Sequence, residues 1–118
     1  MNSFKLLPRY EEYIVYITNI ISKSPKICRL SIGDQFQKAM YKTMYNIYRL
    51  IYKRNGRLDI CNEVDALFAY QRSLIRVMYE NRYIDSKKKM TSIKMLGELG
   101  KILGGYVKSI GVANGKES

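Results

Sequence analysis

The sequence predicts an all-α protein, an antiparallel up-down-up-down four-helix bundle. Apolar residues recur at three- and four-residue spacing along nearly all of its 118 residues. Helix-stopping Pro and Gly signals fall at only a few points, and strand-like alternation never persists. Four segments of roughly 17 to 25 residues joined by short turns favour antiparallel neighbours.

The first segment runs from about Leu6 to Lys23, with Tyr10, Tyr13, Ile14, Ile17, Ile20 and Ile21 on its inner face. Ser24-Pro25 stops it, because proline disfavours helix in the residue before it. Two start signals then compete: Ser24 capping a turn opened by Pro25, and Ser31 followed by Asp34. The second helix therefore begins between Pro25 and Ile32 and reaches about Arg54, where Asn55-Gly56 marks a turn. A third spans about Leu58 to Arg82, burying Cys61, Val64, Leu67, Phe68, Leu74, Ile75 and Met78. The last is capped by Asp85 or Ser86 and continues to about Ile110. Residues 1–112 form the bundle domain, and 113–118 are a polar tail with nothing to pack.

Composition narrows the function. Twenty-one Lys and Arg stand against ten Asp and Glu, a net charge of +11. An excess of that size on a small domain points to a polyanion as partner. There is no histidine, which removes Ser-His and Cys-His nucleophile systems, HExxH zinc sites and the Glu-x-x-His di-iron motif. Cys28 and Cys61 are too few for a disulfide framework and read as buried thiols of a cytosolic protein. No phosphate-binding loop, metal-ligand cluster or membrane span is evident, so no catalytic residue, cofactor or metal is expected.

The stretch YKTMYNIYRLIYKR combines two rows on one helix. Tyr41, Tyr45, Tyr48 and Tyr52 form a stripe roughly 60° wide, and Lys38, Lys42, Arg49 and Lys53 form another beside it. The tyrosines can rim the core, contact a neighbouring subunit or stack on bases. The last helix carries Gly97, Gly100 and Gly104 beside its leucine seam, each costing roughly 1 kcal/mol against alanine. Close approach of another backbone, from the same bundle or a second copy, is the usual reason. Glu98, between Lys94 and Lys101, reads as an ion-pair partner. Further candidates for phosphate contact are Arg54, Lys87, Lys88, Lys89 and the pair Arg72 and Arg76, one helical turn apart.

Several segments resemble known families. ELGKILGGYVKSIG (98–111) looks like the last helix of the accessory variability determinant (Avd) proteins of diversity-generating retroelements. Arg72-x-x-x-Arg76 resembles the basic pair on that family's third helix. Pro25-Lys26, Gln35, Ala39 and Asn46-Ile47 are similar to the four-helix-bundle proteins encoded in 23S rRNA intervening sequences, without the Ser-x-Pro and Glu-Gly found there. The Avd resemblance implies a cytoplasmic, bacterial or phage-encoded homopentameric barrel with no catalytic activity. It implies binding of the reverse transcriptase and of RNA or an RNA/DNA hybrid in support of mutagenic reverse transcription, with Arg72 and Arg76 facing either partner. The second resemblance implies a general RNA-binding or scaffold module. Assigning the tyrosine and glycine rows to subunit contacts rests on spacing alone.

Overall fold

The computed structural model describes the backbone of residues 3–117 and the side chains of residues 5–111. Among the described residues there are four long helices and a short one: α1 (Ser3–Ser22), α2 (Lys26–Leu30), α3 (Ile32–Tyr52), α4 (Arg57–Glu80) and α5 (Ser86–Glu117). α1 begins before the expected Leu6, so Pro8 lies inside it with no amide to donate to the preceding turn. α5 keeps helical backbone to Glu117, beyond the Ile110 expected from its apolar pattern. The side chains of 113–118 lie outside the described residues.

Both competing start signals are used, which splits the expected second helix in two. Pro25 sits at the N-cap of α2, and Ser31, at φ −124° and ψ −102°, ends α2 and precedes α3. Neither serine caps forward as expected. Ser24 Oγ donates back to the Ile21 carbonyl at 2.6 Å, and Ser31 Oγ donates back to that of Ile27. The corner is tight, because a Cβ on buried Gly33 would lie 2.8 Å from the Cys28 carbonyl oxygen. Gly56, with φ +72°, makes the turn into α4, a conformation that glycine adopts without Cβ strain. Asp85 caps α5 as expected, its carboxylate accepting the Lys88 amide at 2.8 Å.

The four long helices close a ring of neighbours: α1 packs on α3 and α5, and α4 packs on α3 and α5. The cross-section of 22 × 20 Å suits four helices packed about 8–10 Å apart. Leu6, Tyr10, Tyr13, Ile17, Phe36, Met40, Ile47, Val64, Phe68, Ile75, Leu96 and Leu103 fill the centre. Leu67, expected inside, is only half-buried. A polar chain crosses this core. Tyr10 Oη donates to Gln71 Oε1 at 2.9 Å, Gln71 Nε2 donates to Thr43 Oγ1 at 3.0 Å, and Thr43 donates to the Ala39 carbonyl at 2.7 Å. It ties α1, α3 and α4 together with each of those side-chain groups satisfied, as burial requires.

Cys28 and Cys61 are buried free thiols. Burial pushes the Cys61 thiol up from 9.0 to about 11, partly opposed by the charge of Arg57. Burial likewise raises Tyr10 and Tyr13 well above the ordinary tyrosine value. In each case the folded chain keeps a proton that the unfolded chain has lost. Stability from these groups is thus complete below pH 9 and falls as pH rises through 9 to 11 and beyond. Urea midpoints at pH 7, 9 and 10.5 should show that loss, and Cys61→Ala should make it shallower.

Candidate nucleic-acid interface

Two side-chain contacts fix how the candidate residues are distributed. On α3, Arg49 Nη1 reaches Asn46 Oδ1 at 2.8 Å and Glu63 Oε2 of α4 at 3.4 Å. Arg49 therefore marks the α4-facing flank of α3. Lys42 and Lys53, seven before and four after it, share that flank, with Lys38 one turn beyond. Lys38 is paired with Asp34 at 3.0 Å, while exposed Lys42 and Lys53 make no ion pair among the described residues. Arg54 is exposed in the turn after α3. Arg49 is thus a half-buried tie between helices, and the exposed lysines are the residues of this row open to a ligand.

The tyrosine row lies farther out. Counting at about 100° per residue, it stands about 160° from the middle of the buried face formed by Phe36, Ala39, Thr43, Ile47 and Leu50. Tyr41, Tyr45, Tyr48 and Tyr52 are 51, 66, 41 and 78% exposed. Of the three uses that the sequence leaves open, rimming the monomer core is excluded by this exposure. The rings of Tyr48 and Tyr52 lie nearly parallel, 6° apart in plane and 6.4 Å between centroids. α3 thus presents an outward aromatic ridge with cations along one side.

The second contact is Lys89 Nζ over the Tyr79 ring at 4.3 Å, which marks the α5-facing flank of α4. Arg72 and Arg76, seven and three residues before Tyr79, lie on that flank. Arg72 is half-buried, close enough for its charge to act on the Tyr13 phenol, and exposed Arg76 donates to Ser73 Oγ at 3.2 Å. On α5 the glycines fall on the side turned toward α4, one to four turns beyond Lys89. The Arg pair and Gly97, Gly100 and Gly104 therefore border one seam. The other lysines at its entrance differ: Lys87 is exposed, whereas Lys88 leans on Asp85 at 3.9 Å.

Nothing lies within 4 Å of a Cβ built at Gly97, Gly100 or Gly104, so of the two sources left open for a backbone against these glycines, packing inside the bundle does not require them. One expectation needs correction here. Glu98 makes no ion pair among the described residues. It lines a groove of about 440 Å³ between α1 and α5 with Arg9, Glu12, Met95, Leu99, Lys101 and Ile102. Sequence reasoning also missed Gln71 and Thr43, whose polar side chains give no periodic signal of burial. It missed the row made by Lys94, Lys101 and Lys108 with Lys87, although the seven-residue spacing was there to see.

Among the described residues no cluster of His, Cys, Asp and Glu could hold a metal ion, and no helix is long and apolar enough to cross a membrane. No curated protein matches the chain significantly. The bAvd-like family model, however, matches residues 5–110, from within α1 to within α5. The chain belongs to the bAvd-like family and is a non-catalytic accessory protein of the diversity-generating retroelement type.

Proposed function

We propose that this chain is a basic, self-associating adaptor that holds the retroelement's reverse transcriptase together with its template RNA during mutagenic reverse transcription. The family match over residues 5–110 carries the reading. The net charge of +11 and exposed cations on both flanks of α4 support the nucleic-acid part. Arg72 and Arg76 are the residues assigned to the enzyme or its RNA, since two guanidinium groups one turn apart suit paired anionic groups. The outward tyrosine row is assigned to contact with a second copy, as large amphipathic rings suit an interface. Pentameric assembly is the expected closed form.

Co-expression with the reverse transcriptase of a diversity-generating retroelement tests this. The tagged wild-type chain should capture enzyme and RNA together, and Arg72→Ala/Arg76→Ala should lower capture at least tenfold with the melting temperature little changed. Undiminished capture by the double variant would remove the Arg pair from the interface. No capture by the wild-type chain would overturn the adaptor reading itself.

A further inference from the structure

The lysines of α5 are in register. Lys87, Lys94, Lys101 and Lys108 are seven residues apart, all exposed, and none is ion-paired among the described residues. Residues seven apart drift only about 20° around a helix, so the four ammonium groups form one nearly straight row. At about 1.5 Å per residue that row is about 31 Å long. Met90, Gly97, Gly104 and Gly111, offset by three, run beside it on the side toward α4. The seam's far wall carries Arg72 and Arg76. The result is an exposed strip with lysines along one side, Arg72 and Arg76 across the seam on the other, and the glycine row between them.

From this arrangement we infer that the outer face of α5 and its seam with α4 form a phosphate-binding track for double-helical nucleic acid. The inference rests on the nucleic-acid part of the proposed function and names the class of ligand and the residues that take it. Charge complementarity selects a polyanion. The side-chain inventory selects a duplex over a single strand. Binding of unpaired bases relies on aromatic platforms, yet the one aromatic residue of α5 among those described, Tyr106, is buried in the core. A duplex hides its bases and offers phosphates along a rigid axis, and the row nearly spans one turn of B-form duplex, about 34 Å. The glycines add access: beyond Met90 this row carries no side chain, and with nothing within 4 Å of the Cβ positions of Gly97, Gly104 and Gly111 a sugar-phosphate backbone can approach the helix closely. Carboxylates temper the field along its length: Glu98 lies on the α1 side of the lysine row, Asp65 stands seven residues before Arg72 on the far wall, and Glu80 and Asp85 stand near the Lys87 end.

The test is fluorescence anisotropy with a labelled RNA hairpin stem of about one turn and an unstructured oligonucleotide of equal length, across a salt series. The full chain is compared with Lys94→Gln/Lys101→Gln/Lys108→Gln and with a control triple, Lys38→Gln/Lys42→Gln/Lys53→Gln. All six lysines are exposed, and circular dichroism checks that both variants fold. The α5 triple should weaken stem binding at least 100-fold at low salt. It should also flatten the plot of log affinity against log salt by about 2 to 3, at about 0.9 per lost phosphate contact. Its effect on the unstructured oligonucleotide should be several-fold smaller. Stem binding that survives the α5 triple but not the α3 triple overturns the track while leaving the adaptor reading standing. An α5 triple that lowers particle mass in the absence of RNA identifies the face as a subunit contact and also overturns it. A wild-type chain that binds neither probe removes both readings.

Discussion

Replacing Gln71 with alanine is expected to cost the bundle about 3 kcal/mol, the largest loss from any single polar side chain here. Gln71 is fully buried and is the centre of the chain from Tyr10 to Thr43. Truncation leaves the Tyr10 hydroxyl without its acceptor in a site walled by Tyr13 and Phe68, whose rings lie 5.3 and 5.9 Å from that of Tyr10. It also opens a cavity where three helices meet. Thr43 loses less, because its own donor bond to Ala39 survives. Gln71→Leu with Tyr10→Phe should recover most of the loss, since removing both partners leaves no orphan and refills the space. Thermal melting of the two variants checks this, and a Gln71→Ala melting temperature within a degree or two of wild type would refute this picture of the core.

Gly33→Ala should be the next most damaging, at about 2–3 kcal/mol. The added Cβ would stand 2.8 Å from the Cys28 carbonyl oxygen and 3.0 Å from Ile21 Cγ2. The first is backbone and cannot rotate away, so the α2–α3 corner must open. The same substitution at Gly97, Gly100 and Gly104 has the opposite sign. Those positions have open space around them, and alanine should gain up to about 1 kcal/mol each through helix propensity. Melting curves of the Gly33 variant and of Gly97→Ala/Gly100→Ala/Gly104→Ala should therefore move in opposite directions. A triple variant that melts below wild type would mean that another backbone rests on those glycines in solution.

The helices and most of their inner faces were legible because burial follows the three-to-four spacing closely. Tyr10, Tyr13, Ile17, Ile20 and Ile21 of the first helix, and Cys61, Val64, Phe68, Leu74, Ile75 and Met78 of the third, all lie inside. The division of the second helix was legible only as an ambiguity, since each start signal was plausible and the chain uses both. What decides it is the steric fit of Gly33 under Cys28, a contact between residues five apart that periodicity does not report. Gln71 and Thr43 escaped for a related reason: a polar residue on an apolar face becomes informative once its partner on another helix is known. The tyrosine row was legible as a stripe but not in its direction. Tyrosine is amphipathic enough to suit either the edge of a core or open surface, and here it stands opposite the core. The cations were visible one by one, yet their grouping depends on which flank of each helix meets which neighbour. Arg49–Glu63 and Lys89–Tyr79 settle that grouping.

Light-scattering mass at moderate and high salt, with and without a structured RNA, decides whether the chain is a self-associating RNA-binding adaptor. A homopentamer-sized particle should take up RNA at moderate salt and release it as salt rises, because phosphate contacts carry the affinity. A salt-independent monomer that ignores RNA would contradict that assignment, leaving the tyrosine row and the excess of cations as no more than solvated surface.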